Sequence, residues 1–123
     1  MAVILVADDE LAIVQTLTLL LNMEQHHVIG AANGADALDA ARKAPPDIIV
    51  TDIMMPRLNG LDLCRALQSD ERLRHIPVIL MTASPTHVGN GAGCRYAGLL
   101  IKPFEFDDLM RTLATALGDA HVD

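Results

Sequence analysis

The sequence predicts an α/β domain built on a doubly wound, five-stranded parallel sheet. Three observations predict it. Short β-rich runs alternate with longer helical segments along the chain. The first run, Ala2–Ala7, is apolar throughout, as a strand covered on both faces must be. The polar residues best suited to chemistry stand where the runs end. The 123 residues suffice for one compact core and are too few for two. Residues 1–123 therefore read as a single domain with no room for an output domain.

The elements follow in order. After Ala2–Ala7 the pattern turns helical from Glu10 to about Glu24, with Leu11, Val14, Thr18 and Leu21 on one face. His27–Ala32 is a second strand. Asn33-Gly34 is a turn into an Ala-rich helix, Ala35–Lys43, whose small side chains let it lie close to the sheet. Pro45-Pro46 breaks the chain before a third strand, Asp47–Thr51. Pro56 and Asn59-Gly60 mark the next loop, and Leu61–Gln68 is a third helix with Leu61, Cys64 and Leu67 pointing inward. Ile76–Thr82 is the fourth strand, with Pro77 near its start, where proline is tolerated. Leu99–Ile101 is the fifth, and Phe106–Leu117 the last helix, with Phe106, Leu109, Met110, Leu113 and Leu117 as its apolar face. Between strands four and five, Ser84–Gly98 carries Pro85 and four glycines. Each glycine in a helix costs about 0.5–1 kcal/mol relative to alanine, so the helix that the alternation calls for is expected to be short, displaced or mobile.

Composition removes several functions. The net charge of -7, with the basic residues scattered, opposes contact with DNA or an anionic membrane. Only Tyr96, Phe104 and Phe106 are aromatic, leaving little to stack on bases. The apolar runs Ala2–Ala7 and Leu17–Leu21 are too short for a signal or a membrane span, which implies a cytoplasmic protein. Cys64 and Cys94 match neither a redox C-x-x-C nor a zinc spacing and read as two reduced thiols, with a regulatory Cys94 as the alternative. His26, His27, His75, His87 and His121 fall in expected loops or termini and read as exposed.

In an open α/β sheet, ligands bind beyond the carboxyl ends of the strands. Strand one ends at Asp8-Asp9, strand three at Asp52, strand four at Thr82 and strand five at Lys102-Pro103. Three carboxylates gathered at one edge cannot all stay ionised without compensation. Mg²⁺, held by one or two carboxylates together with water and phosphate oxygens, suits such a site. A carboxylate can also be a nucleophile that forms an aspartyl phosphate, with a lysine to neutralise the phosphoryl oxygens and a hydroxyl to bond them.

The chain resembles the receiver domains of two-component response regulators over essentially its whole length. The resemblance rests on Leu5-Val6-Ala7-Asp8-Asp9-Glu10, on Asn33-Gly34-Ala35-Asp36-Ala37-Leu38, and on Pro46–Pro56 with Asn59-Gly60. It rests further on Pro77-Val78-Ile79-Leu80-Met81-Thr82-Ala83 and Lys102-Pro103-Phe104. It implies a flavodoxin-like fold with strand order 2-1-3-4-5. It also implies Asp52 as phospho-acceptor, Asp9 as direct Mg²⁺ ligand, Asp8 assisting directly or through water, and the Met54 backbone carbonyl as a further ligand. Thr82 would bond the phosphoryl group and move with it, Lys102 would pair with its oxygens, and the Lys102-Pro103 peptide would be cis. A histidine kinase or histidine phosphotransfer protein would donate the group, and a downstream target protein would respond to the altered surface. The chain departs from the family pattern where Leu99 replaces a frequent aromatic switch residue. The stretch from Thr82 to Lys102 is also about two residues short, and Arg95-Tyr96-Ala97-Gly98 replaces a usual Gly-Ala pair.

Two other readings predict different behaviour. A phosphohydrolase of the haloacid-dehalogenase type needs a second aspartate two residues past the nucleophile, and Met54 at that position cannot transfer protons. A phosphorylation-independent binding module would hold its partner equally with and without a phosphoryl mimic.

Overall fold

The computed structural model describes residues 1–88 and 94–119. The strands are β1 (Val3–Ala7), β2 (His27–Ala31), β3 (Ile48–Asp52), β4 (Val78–Thr82) and β5 (Gly98–Ile101). The helices are α1 (Leu11–Met23), α2 (Gly34–Lys43), α3 (Gly60–Gln68) and α4 (Phe106–Asp119), and Pro85–Val88 is a 3₁₀ turn. All four strand pairings are parallel, in the order β2-β1-β3-β4-β5. The expected architecture and strand order therefore hold.

Side-chain alternation along the central strands divides the core between the two faces. Leu5, Ile49, Val78 and Leu80 meet Ala37, Ala41, Leu63 and Leu67 of α2 and α3. Ile4, Val6, Ile48, Val50, Ile79 and Met81 meet Leu17, Leu21, Leu109 and Leu113 of α1 and α4. β3 and β4 are buried along their whole length, which is why their sequences read as apolar runs that turn polar only at the carboxyl end, at Thr51-Asp52 and at Thr82.

The loops on the carboxyl side are set by asparagine caps and by close backbone approach. Asn33 Oδ1 accepts from Asp36 N at 2.8 Å, and Asn59 Oδ1 accepts from Asp62 N at 2.8 Å. Each satisfies an otherwise unpaired N–H at a helix start. Gly60 fits directly beneath the end of β3: a Cβ there would lie 2.3 Å from the Asp52 carbonyl oxygen. A Cβ on Gly34 would lie 2.0 Å from the Leu58 carbonyl oxygen. Both glycines are required by space, not only by turn chemistry.

Some expectations need correction. Leu11 is 67% exposed, and α1 buries Leu17 and Leu21, with Ile13 and Val14 packed beside them. α1 is apolar on nearly every side, so spacing alone could not select the buried stripe. On α3, Leu63 is fully buried, whereas Leu61 is only partly so. His27 and His75 are exposed as expected. His26 is half-buried instead, its Nδ1 accepting a hydrogen bond from Ala2 N at 3.1 Å. His121 lies outside the described residues. Of the stretch 84–98, residues 89–93 also lie outside them. The described remainder forms the 3₁₀ turn and an irregular approach to β5.

Cys64 and Cys94 are not separate thiols; they form a disulfide with a Cα–Cα distance of 5.8 Å. Spacing hid this pairing because the cysteines are 30 residues apart and meet only through the fold. α3 turns Cys64 inward, and the chain returning to β5 passes alongside it. Gln68 grips that returning chain through both backbone groups of Arg95, its Oε1 accepting from Arg95 N and its Nε2 donating to Arg95 O.

Candidate functional site

Four strands deliver their terminal side chains to one cleft. β1 runs directly into Asp8 and Asp9, β3 closes on Asp52, β4 on Thr82, and β5 leads into Lys102. The β1–β3–β4–β5 pairing brings these ends side by side at the carboxyl edge of the sheet. The cleft has a volume of about 260 Å³ and is lined by Asp9, Glu10, Asp52, Met54, Thr82, Ala83 and Lys102.

Lys102 organises the charges. Its Nζ donates to Asp8 Oδ2 at 2.8 Å, lies 3.2 Å from Asp52 Oδ1, and lies 3.8 Å from Glu10 Oε1. Its aliphatic stem is covered, leaving the side chain 16% exposed. The other oxygen of Asp8 accepts from Glu10 N at 2.8 Å, so this buried carboxylate is held at both ends. Asp9 is exposed at the mouth, whereas Asp52 and Thr82 are buried. Thr82 Oγ1 donates to the Ser84 carbonyl at 2.9 Å and accepts from Ser84 N at 3.2 Å, which ties the hydroxyl to the loop after β4. The Lys102-Pro103 peptide is cis, as expected.

Burial pushes the Asp52 carboxyl above its ordinary value of 3.8. Lys102 opposes the rise, and the charges of Asp8 and Asp9 add to it. For Lys102, burial acts against the ammonium. The hydrogen bond to Asp8 and the attraction of Asp52 and Asp8 outweigh it, so its pKa sits above the ordinary 10.5. One cation is thus shared among three nearby acids.

One oxygen from each of Asp8, Asp9 and Asp52 lies within 4.8 Å of the others. These are hard donors from a set too acidic for Lys102 alone to balance, and they fit a hard divalent cation. Met54, two residues past Asp52, lines the same cleft and is 58% exposed.

Every residue that the sequence marked is therefore gathered here. Glu10 and Gly60 were missed. Glu10 was legible only as a helix-start acid, although it stands beside two marked aspartates. Gly60 was legible as a turn residue, but its contact with Asp52 depends on tertiary approach. Leu99, at the position of the family's frequent aromatic switch, is half-buried and packed toward the α2/α3 side of the core.

Comparison with known proteins agrees with this geometry. The family described as the response regulator receiver domain matches residues 4–114. Protein PilH of Pseudomonas aeruginosa is 35% identical over 95% of this chain and 98% of its own length. The polar-differentiation response regulator DivK of Brucella anthropi is 35% identical over 97% of this chain and 98% of its own. Response regulator PleD of Caulobacter vibrioides is 42% identical over 87% of this chain, which spans only 24% of that protein. Among solved structures, the Vibrio cholerae chemotaxis protein CheY4 superposes with a TM-score of 0.86 at 31% identity, covering 94% of this chain and 98% of its own. The receiver domain of a Pseudomonas aeruginosa sensor histidine kinase, with a magnesium ion coordinated in its active-site cleft, superposes with a TM-score of 0.86 at 26% identity. It covers 95% of this chain and 98% of its own.

Proposed function

Because this chain belongs to the response regulator receiver domain family, the phosphorylation-dependent signal receivers of two-component systems, we propose that Asp52 is the residue that receives the phosphoryl group. The observation that carries this reading is the Lys102 ammonium, 3.2 Å from Asp52 Oδ1 and anchored on the buried Asp8.

In this reading an oxygen of the Asp52 carboxylate attacks the phosphorus of a phosphohistidine. The new P–O bond forms as the P–N bond breaks, and the leaving imidazole is released to the donor protein. Lys102 is placed to neutralise charge on the phosphoryl oxygens, exchanging part of its interaction with Asp52 for one with the phosphoryl group. Thr82 is placed to donate to a phosphoryl oxygen, leaving the Ser84 carbonyl to do so. That exchange would pull the loop after β4 toward the site and bias a pre-existing equilibrium of the surface beyond it.

Asp9, Asp52 and the Met54 backbone carbonyl, with Asp8 directly or through water, are the residues that would hold Mg²⁺. When bound, the ion supplies positive charge that offsets the carboxylates and the phosphoryl oxygens. The donor in this proposal is a histidine kinase or histidine phosphotransfer protein, the responder is a downstream target protein, and the setting is the cytoplasm. No described helix is long and apolar enough to cross a membrane.

The test is incubation with acetyl phosphate and Mg²⁺ followed by intact mass measurement. The native chain gains one phosphoryl mass and Asp52→Asn gains none. No gain on the native chain, or equal gain on the variant, contradicts the assignment.

A further inference from the structure

We propose that Cys64 and Cys94 form a reversible dithiol–disulfide site whose redox state controls how firmly the chain entering β5 is held against α3. Neither cysteine takes part in the phosphorylation chemistry, and the proposal does not rest on the assignment of Asp52.

The geometry is that of a built site. A Cα–Cα distance of 5.8 Å lies within the range that a disulfide bridges without backbone movement. Gln68, one turn after Cys64 on α3, binds both backbone groups of Arg95, the residue after Cys94. This clamp does not depend on the sulfur bond, so it holds Cys94 opposite Cys64 whether the pair is oxidised or reduced. Gln68 Nε2 also donates to Cys64 Sγ at 3.5 Å. Cys64 is wholly buried and Cys94 is 7% exposed, so Cys94 is the less enclosed residue of the two and the one we assign to meet an outside reagent first.

The oxidant class is a low-molecular-weight disulfide such as oxidised glutathione. The Cys94 thiolate attacks one sulfur of the reagent, forming a mixed disulfide and expelling one thiolate. The Cys64 thiol loses its proton and attacks Cys94 Sγ, expelling the second thiolate. The protein loses two electrons and two protons, and the reagent is reduced to two thiols. Burial of Cys64 places it as the resolving partner, because only Cys94 can reach it.

The bond matters because of where it lies. Cys94 stands on the chain that runs from Thr82 at the end of β4 to the start of β5, the strand that leads into Lys102. Oxidation adds a covalent tie to the two Gln68 hydrogen bonds, so local opening of residues 94–97 then requires α3 to move with them.

The full-length chain should be equilibrated in a series of reduced and oxidised glutathione mixtures, quenched by thiol alkylation and weighed intact. Wild type should pass from two alkylated thiols to none with loss of two hydrogen masses, in a monomer. Cys64→Ser should stop at a glutathione adduct on Cys94. Hydrogen exchange of peptides covering residues 94–98 should slow at least several-fold on oxidation of wild type and not change in the Cys64→Ser/Cys94→Ser double variant. Two alkylated thiols at every poise, disulfides only between chains, or exchange that ignores oxidation in wild type would each overturn the proposal. A hydrogen-exchange change of equal size in the double variant would do so too.

Discussion

At the residue scale, Asp52 and Lys102 both hold their protons more tightly in the folded chain, in two separate pH windows. Asp52 is protonated more readily folded than unfolded, because burial raises its pKa from 3.8. Its ionisation therefore draws stability away as pH rises from 3.8 through the raised folded value, and the fold carries that cost at neutral pH. Asp52→Asn removes the buried charge and leaves Lys102 its bond to Asp8. We expect the variant to be more stable at neutral pH by roughly 0.5–2 kcal/mol, read as a higher thermal midpoint; an unchanged or lower midpoint would contradict this. Labelling by acetyl phosphate needs the carboxylate and should fall on acidification at a pH above the ordinary 3.8. Lys102 differs in that folding favours its charged form, so at neutral pH it contributes stability where Asp52 costs it. Its raised pKa contributes stability that is fully present below 10.5 and lost as pH rises through the higher folded value. These four strand-end residues, Asp8, Asp52, Thr82 and Lys102, were legible because each follows a recognisable run. The part played by Glu10 was not, because its 3.8 Å approach to Lys102 joins β1 to β5 across the sheet.

At the element scale, the start of α3 supports the end of β3. The Cβ of Gly60→Ala would meet the Asp52 carbonyl at 2.3 Å, and both groups are backbone-anchored, so neither can swing away. The variant should lose about 1–3 kcal/mol or more of stability, measured as the urea midpoint, and should label more slowly because Asp52 is displaced. A variant with unchanged midpoint and labelling would show that the contact is slack. Asn59→Ala removes only the cap on Asp62 N and should cost about 0.5–2 kcal/mol. Helix positions were readable where one face is apolar and the other polar, as in α4. They were misread on α1, where Leu11, Leu19 and Met23 leave apolar side chains on the solvent side as well. The segment after β4 was readable only as a weakened helix, since glycine content predicts what will not form better than what will.

At the scale of the whole molecule, the parallel sheet converts separate strand ends into one acidic cleft, and its cost in charge repulsion should be relieved by cations. Mg²⁺ should raise the thermal midpoint of the native chain in a concentration-dependent way, by mass action on the folded state. Asp9→Ala should largely abolish the rise, and a rise of equal size would place the ion elsewhere. The strand order and both core faces were legible from the alternation of runs and from the family resemblance. The Cys64–Cys94 pairing was not, because it joins positions 30 residues apart that carry no motif. Whether Asp52 carries the phosphoryl group is tested at the atom concerned by reductive trapping. After reaction with acetyl phosphate and Mg²⁺, borohydride converts an aspartyl phosphate to homoserine, which peptide mass spectrometry locates. Homoserine is expected at position 52 and at no other aspartate; homoserine at position 8 or 9 instead, or none anywhere, would contradict the assignment of Asp52.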